Sequence, residues 1–210
     1  PHAVFDATER LVFTGGYGVA AHLWNIRTGQ LIRTYATNEE EGGMNLDLSP
    51  NGKLLAVGNR NGTTHLFDVR SGKRLHRLEL GSYWGIGEEC GDLIHAVAFS
   101  PIGTQLATAD VSGRVAIWDY HNGKLITEYQ TGGREIFCLA WSPNGKKLAF
   151  AGHAKSNDLQ KAIRVILLNE NRGLIALPGP DRVFDMEFSP DGDRLLVGGS
   201  KSTDVWKLKR

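Results

Sequence analysis

The sequence of 210 residues is poor in the features that define membrane proteins and disulfide-stabilised proteins. It contains two cysteines, Cys90 and Cys138, which lie far apart, whereas small secreted scaffolds are rich in cysteine. No run of about 18 apolar residues occurs, so the sequence predicts no helix that crosses a membrane. The chain begins at Pro1 without a charged and then apolar leader, so we expect no signal peptide and a fragment of a longer chain. These absences predict a cytoplasmic protein without a membrane partner.

The chain also lacks an excess of either charge and the residue patterns of a catalytic or metal centre. It has 24 lysines and arginines against 23 aspartates and glutamates, which argues against a nucleic acid as the partner. Its seven histidines include no pair with the spacing of zinc ligands, and no Cys-x-x-Cys or G-x-S-x-G motif occurs. We therefore predict a protein that is not an enzyme and holds no metal.

One glycine-rich stretch, Gly15–Ala21, matches the pattern G-x-G-x-x-A that is found in dinucleotide-binding proteins. That site requires a helix directly after the glycines, because the helix N-terminus receives the pyrophosphate. The residues that follow, Ala20–Ile26, instead have the pattern of a strand. The sequence thus predicts a turn between strands here and no cofactor.

What the sequence does contain is a sequence repeat in five copies. A Ser-Pro-x-Gly turn begins at Ser49, Ser100, Ser142 and Ser189, and Asp6–Glu9 is a degenerate first copy. A second anchor, an apolar residue that is followed by a polar one, recurs in register at Trp24, Phe67, Trp118, Leu168 and Trp206. Two anchors that repeat about every 40 to 50 residues indicate stacked structural units.

Each repeat has the pattern of four short strands and none of an amphipathic helix. In the third copy the predicted strands are Ile94–Ser100, Gln105–Ala109, Arg114–Tyr120 and Lys124–Tyr129, rich in apolar and aromatic residues. Proline and glycine in the intervening turns supply the backbone angles that tight turns need. The third strand is apolar on both of its alternating faces, so the sheet must be covered on both sides. Stacked copies of the same sheet meet that need.

The phrases FSPIG, LATAD, GRVAIWD, WSPNGKKLAF and FSPDGDRLLVGG resemble the bacterial-style repeats of the WD40 family of β-propellers. The resemblance covers nearly the whole chain and implies an all-β propeller in which five antiparallel blades follow one another. The last blade should show three strands and the others four, as part of a larger ring. The implied domain is residues 1–210, with blades at approximately 1–36, 43–80, 93–130, 134–177 and 182–210.

Two parts of the family pattern are absent from the chain. The Gly-His pair that usually precedes the first strand occurs in no copy. The aspartate expected before the third strand is replaced by Ser112 in the third copy and by Asn61 in the second. The buried network of Asp, His, Ser or Thr, and Trp that is typical of the family is therefore not expected here. The tryptophans at the repeat anchor are expected to pack between blades.

The resemblance leaves three kinds of function open, because the fold serves many. The first is a scaffold or sensor that binds a protein partner, or another domain of the same longer chain, as in signalling or effector proteins. The second is a propeller that binds a small ligand or a glycan near its central opening. The third is a propeller enzyme. We expect the first, because no catalytic set is visible and two insertions interrupt the regular repeat.

Both insertions fall on one face, called the top face here, which carries the second-to-third strand loops and the links between blades. About eight extra residues lie in each of Gly81–Asp92 and Gly152–Ala162, while the turns of the opposite face keep nearly constant length. Insertions that a fold does not require indicate function when they gather on one face. The predicted partner-binding residues are Tyr17, Arg60, Tyr83, Trp84, Ile86, Glu88, Glu89, Lys155, Asp158, Gln160 and Lys161.

Within the first insertion, Trp84 and Cys90 raise separate questions. Trp84 is either an exposed anchor for the partner or a plug that fills a gap between blades. Cys90 lies in the loop and Cys138 lies on a strand that should be buried, so we expect no disulfide between them. The acidic run Glu39–Glu41, in another top-face link, is expected to be a solvated loop tip next to the site.

Overall fold

The computed structural model describes residues 2–16, 20–37, 43–80, 93–131, 135–153, 163–168 and 173–208. Within these ranges the chain is all-β and contains no helix. Its strands are β1 (His2–Phe5), β2 (Leu11–Gly15), β3 (Ala20–Asn25), β4 (Leu31–Ala36), β5 (Gly43–Leu48), β6 (Leu54–Asn59), β7 (Thr63–Asp68), β8 (Arg74–Glu79), β9 (Ile94–Phe99), β10 (Gln105–Asp110), β11 (Arg114–Asp119), β12 (Lys124–Gln130), β13 (Ile136–Trp141), β14 (Lys147–Gly152), β15 (Ile163–Leu167), β16 (Leu174–Leu177), β17 (Val183–Phe188), β18 (Arg194–Gly199) and β19 (Thr203–Lys207).

These strands form five separate antiparallel sheets, and within each sheet the spatial order follows the chain. Blade one is β1–β4, blade two β5–β8, blade three β9–β12, blade four β13–β16 and blade five β17–β19. The predicted fold is thereby confirmed, including the three strands of the last blade. The strands predicted for the third repeat agree with β9–β12 to within one residue at each end.

The Ser-Pro-x-Gly motif forms the turn of the first hairpin of a blade, and the serine hydroxyl stabilises that turn by a hydrogen bond. Ser49 Oγ accepts the N–H of Leu54 at 2.9 Å, and Ser142 and Ser189 each accept the N–H five residues later at 2.9 Å. The glycine of the turn has a positive φ, as at Gly52 with +67°, which residues with a Cβ rarely adopt. One hydrogen bond and one glycine therefore set the constant length of these turns.

Four hydrophobic cores hold the described blades together, one between each pair of neighbours. The core between blades two and three contains Ala56 and Leu66 of one blade and Trp118 of the next. Ala56 and Leu66 are 0% exposed, and Ile117, on the other face of its strand from Trp118, is 1% exposed. The second and third strands of these blades are thus buried on both faces, as their apolar pattern predicted.

The tryptophans at the repeat anchor form one part of the buried network that the sequence predicted to be absent. Trp118, 5% exposed, donates from Nε1 to Thr108 Oγ1 at 2.9 Å. Trp24 donates to Thr14 Oγ1 in blade one, also at 2.9 Å. The threonine–tryptophan pair therefore forms in two blades although no copy has the Gly-His pair.

Blade five has the tryptophan but lacks its acceptor. Trp206 Nε1 is buried without a hydrogen-bond partner among the described residues. The strand register places Val197 at the position that Thr108 has in blade three. Val197→Thr is therefore expected to raise the free energy of unfolding by about 1 kcal/mol, the net value of one hydrogen bond.

Urea denaturation of the two proteins checks this prediction, and blade two offers a matched control. Val57 stands at the same position there, is 0% exposed, and has Phe67 in place of the tryptophan. Val57→Thr should be destabilising, because it buries a hydroxyl that has no indole N–H to accept. Equal losses of stability in both variants would contradict the proposed Thr–Trp bond in blade five.

The register of blade four corrects the predicted anchor in that repeat. Leu148 pairs with Ile166, just as Leu106 pairs with Trp118 in blade three. Ile166, which is 0% exposed, holds the anchor position assigned to Leu168, so the insertion before it is two residues shorter than predicted. The prediction was wrong because it assumed that the third-to-fourth strand turn has a constant length, and this turn is longer in blade four.

Blade five presents an apolar face that the described residues leave exposed. Leu196 is 43% exposed and Val205 is 63% exposed. The strand register makes them equivalent to Ala56 and Leu66 in blade two, both 0% exposed. The difference arises because blade three covers Ala56 and Leu66, whereas no described residue covers the corresponding face of blade five to that degree.

Candidate functional site at the central cavity

The first strands of blades two to five share an irregularity at their N-terminal ends. In each of them the pairing register shifts by one residue, which is the signature of a β-bulge. The pairing of β1 with β2 runs without such a shift. Bulges redirect a side chain away from the regular alternation of a strand. The extra residues are Met44, His95, Phe137 and Phe184.

A cavity of about 270 Å³ lies between these four strands, in the middle of the arc of blades. Three of the bulge residues, His95, Phe137 and Phe184, line it. Because each first strand follows a link between blades, these N-terminal halves lie toward the top face. The other described lining residues are Asn45, Leu46, Asp47, Ala96, Val97, Ala98, Cys138, Leu139 and Asp185.

The aromatic part of the cavity is built from rings of three different blades. The rings of His95 and Phe137 meet edge to face, with centroids 5.0 Å apart and an angle of 89°. Phe184, on the first strand of blade five, is 59% exposed. Burial lowers the pKa of His95, although the carboxylates of Glu135 and Asp110 oppose that shift. The wall therefore combines an imidazole with two phenyl rings, one of them open to solvent.

The polar part of the cavity is centred on Asp47, which also links two blades. Its Oδ2 accepts the N–H of Phe99 in blade three at 2.7 Å, and its Oδ1 accepts the N–H of Leu48 at 2.8 Å. Asn45 Nδ2 donates to the carbonyl of Ile94 at 3.4 Å, which adds a second contact between the same blades. Burial raises the pKa of Asp47 to about 6 despite the two N–H donors.

Asp47 should make the protein lose stability, relative to the Asp47→Asn variant, as the pH rises from about 4 to about 6. Folding raises the pKa of this carboxyl from 3.8 to about 6, so the folded state binds its proton more tightly than the unfolded state. The resulting stabilisation is complete below the unfolded pKa and is lost as the pH rises through the folded one. Urea titrations across this range measure the difference.

The remaining carboxyl groups are common to both proteins and cancel from that comparison. The exposed Glu128→Gln variant controls for the loss of any one carboxyl group. If wild type and Asp47→Asn differ by the same free energy at pH 4 and pH 7, Asp47 does not titrate as the structure implies.

A second polar cluster stands at the top-face turn of blade three, between β10 and β11. Asp110 Oδ1 accepts hydrogen bonds from Ser112 Oγ at 2.7 Å and from the N–H of Arg114 at 2.9 Å. Asp110 Oδ2 accepts a hydrogen bond from Arg114 Nε at 2.7 Å. The side chains of Asp110 and Arg114 are 1% and 6% exposed. The turn is therefore closed by a buried ion pair, and Ser112 takes part at the position where the family pattern has aspartate.

The predicted partner-binding residues are largely outside the described ranges. Arg60 is described, and it is exposed in the top-face turn between β6 and β7, where it was expected. The strands of each blade alternate in direction. The strands before the insertions, β8 and β14, therefore end at the top face, and the strands after them, β9 and β15, begin there. The residues outside the described ranges are Tyr17, Tyr83, Trp84, Ile86, Glu88, Glu89, Lys155, Asp158, Gln160 and Lys161, together with the run Glu39–Glu41.

The described residues offer neither a metal centre nor a reactive cysteine. They include no group of three or more His, Cys, Asp or Glu side chains that could hold a metal ion. Cys138 is a free, buried thiol whose pKa burial raises to about 12, so it is a weak nucleophile. Its burial agrees with the prediction, while Cys90 lies outside the described ranges. In the part of the chain that the structure covers, no helix is long and apolar enough to cross a membrane.

Comparison with known proteins identifies the class to which this arrangement belongs. The family model described as the anaphase-promoting complex subunit 4 WD40 domain matches residues 19–83 and 74–144, which is more than half of the chain. The model of the WD domain, G-beta repeat, matches residues 173–207. The chain belongs to the WD40-repeat family, as its repeats predicted.

Two curated relatives show how much of a longer protein the chain resembles. Protein groucho of Drosophila melanogaster is 25% identical over 197 residues, which covers 92% of this chain and 25% of that protein. Small ribosomal subunit protein RACK1y of Oryza sativa subsp. japonica is 28% identical over 149 residues, which covers 68% of this chain and 40% of that protein. The chain thus spans between 25% and 40% of the length of these relatives.

Sequence reasoning missed the cavity, although one signal for it was present. The bulge residues stand at equivalent places in the repeats, two of them aromatic and one a histidine, where a regular strand would carry small or aliphatic core residues. An alignment of the first strands would have shown this series. It would not have shown where the side chains point, because a bulge changes that direction without changing the composition.

Proposed function

We propose that the chain is an interaction module that binds a protein partner, or another domain of a longer chain, on its top face. The observation that carries the proposal is the cavity at the top-face end of the first strands, with its polar and aromatic lining. The described strands that flank the two insertions, β8 and β9 and then β14 and β15, also end or begin at that face. The buried apolar side chains of the strands are used in packing between blades, as the four cores illustrate.

The matched proteins support this role through their names. The first family model is named after a subunit of the anaphase-promoting complex, and RACK1y is named as a protein of the small ribosomal subunit. Both are therefore components of larger assemblies. The same use of the fold by this chain requires a partner rather than a catalytic centre, and a cytoplasmic location fits it.

A small ligand or glycan is the alternative occupant, and the size of the cavity favours a protein partner. Sites for small molecules usually enclose about 300 to 1,000 Å³. The cavity here, about 270 Å³, is below that range. A space of this size suits one side chain of a protein partner, whose other contacts would lie on the surrounding top-face loops.

The role of Trp84 provides the experiment for this proposal. In a pull-down with the full-length protein from its own cells, Trp84→Ala is expected to weaken partner binding by about 2 kcal/mol or more, the loss typical of an aromatic anchor. Its melting temperature should stay unchanged. Quantitative mass spectrometry of the recovered partner measures the effect.

Ile102→Ala is the matched control, because Ile102 is an apolar side chain, 53% exposed, in a turn of the opposite face. It should leave binding unchanged. If Trp84→Ala lowers the melting temperature and spares binding, Trp84 is a plug between blades and the proposed anchor is wrong. If Ile102→Ala weakens binding instead, the partner uses the opposite face.

A further inference from the structure

We propose that the central cavity binds a cationic side chain, a lysine or an arginine, that the protein partner inserts from the top face. This inference rests on the proposed function, because it names the chemistry that the partner must present. It is carried by three properties of the cavity: the sign of its charge, its aromatic wall and its size.

The charge of the cavity is negative. Asp47 of blade two and Asp185 of blade five line it, and no lysine or arginine is among the described lining residues. Neither carboxylate forms an ion pair with a described residue, in contrast to Asp110, which is paired with Arg114. A recess whose charge is of one sign concentrates the electric field and attracts ions of the opposite sign.

The two carboxylates are held in place by backbone groups alone among their described hydrogen bonds. Asp47 accepts the N–H groups of Phe99 and Leu48, and Asp185 Oδ1 accepts the N–H of Met186 at 2.9 Å. These bonds fix the orientation of each carboxylate and leave its charge without a cation. Burial disfavours the ionised form of Asp47, as its raised pKa indicates, and a bound cation would favour that form again.

The aromatic wall suits the same ligand. The bulges direct Phe137 and Phe184 into the cavity, and the edge of one ring of the His95–Phe137 pair packs on the face of the other. A lysine or arginine within about 6 Å of a ring centroid is attracted by the negative face of that ring. The methylene groups of these long side chains can pack on apolar wall residues such as Val97 and Leu139. An anionic or short polar side chain would gain neither contact.

The size of the cavity limits the ligand to one side chain. About 270 Å³ has room for a long side chain and does not admit a secondary-structure element. A partner therefore reaches the cavity with a residue on a loop, an end of the chain or an extended segment, while the rest of that segment lies on the top face.

The inference is tested with an array of N-acetylated heptapeptides whose central residue is arginine, lysine, glutamine, glutamate or norleucine and whose flanks are randomised. The full-length protein is applied to the array. We expect the arginine and lysine sets to bind about tenfold or more tightly than the norleucine set, which keeps the length and removes the charge. Loss of a buried charge pair has costs of this order or larger.

The double variant Asp47→Asn/Asp185→Asn should bind the arginine and lysine peptides no more tightly than the norleucine peptides. Its melting temperature checks that it is folded. Glu128→Gln removes an exposed charge on strand β12 and should retain the preference for arginine and lysine peptides. If the double variant fails to fold, Phe137→Leu gives a second test and should weaken the cationic sets more than the norleucine set.

Equal binding of the norleucine and arginine sets, a preference for glutamate, or an equal loss in Glu128→Gln would overturn the inference. The two proposals fail separately. If Trp84→Ala abolishes the pull-down and the cavity variants leave it intact, the top-face module stands and the cationic ligand is wrong. If the array shows the cationic preference and the partner proves to bind on the opposite face, the cavity selects cations, but the top-face module is wrong and so is the insertion of a partner side chain from that face.

Discussion

Replacing Asp110 by alanine is expected to lower the free energy of unfolding by about 3 to 5 kcal/mol, the range for breaking a buried ion pair from one side. The carboxylate is 1% exposed and accepts Arg114 Nε at 2.7 Å. Its removal leaves the guanidinium of Arg114, 6% exposed, buried without that counter-charge. It also removes the acceptor of Ser112 Oγ and of the Arg114 N–H, which close the turn.

Urea denaturation of the full-length protein measures the loss, with an exposed ion pair as the control. Arg194 and Asp191 are 3.9 Å apart and their side chains are 61% and 55% exposed. Arg194→Gln should therefore change the free energy of unfolding by less than about 1 kcal/mol. If Asp110→Ala costs no more than Arg194→Gln, the Asp110–Arg114 pair does not stabilise blade three in the way described.

Replacing Gly152 by alanine is expected to destabilise blade four by about 3 kcal/mol, the upper end of typical overpacking costs. A Cβ at this position would lie 1.8 Å from the carbonyl oxygen of Glu135 and 2.8 Å from the Cα of Ile136. Both are backbone atoms, so no side-chain rotation relieves the contact. Gly152 pairs with Ile136 next to the bulge that places Phe137 in the cavity, so the change should also disturb the candidate site.

Gly29→Ala is the matched control for this substitution. Gly29 has a φ of +68° and nothing within 4 Å of an added Cβ. Alanine there should therefore lower the stability by the backbone strain alone, about 1 kcal/mol. Thermal unfolding of both variants gives the comparison. Equal shifts of the melting temperature would show that the space around Gly152 does not exclude a methyl group.

The fold could be predicted from the sequence because its determinants are local and repeated. The serine, proline and glycine of each first hairpin specify one turn, with bonds such as Ser49 Oγ to the Leu54 N–H. Strands apolar on both faces require a sheet on either side, and the cores between blades provide it. Blade four was the exception, because one longer turn moved the anchor from Leu168 to Ile166 without changing the composition.

The candidate site could not be predicted in the same way, because it depends on contacts between repeats. Asp47 becomes important through Phe99, which lies in the next blade, and His95 through Phe137, one blade further. No local pattern marks these pairs. The two insertions were visible from repeat lengths alone, and of the residues predicted near the site the structure describes Arg60.

Site-directed photo-crosslinking in the native cell tests the central claim, binding at the top face, most directly. A photoreactive phenylalanine analogue is placed in the full-length protein at Phe184 and Arg60 on the top face, and at Ile102 and Asn144 in turns of the opposite face. Crosslinked partners are then identified by mass spectrometry. We predict that the first two positions capture the same partner and that the second two do not. Crosslinks to that partner mainly from Ile102 and Asn144 would contradict the account.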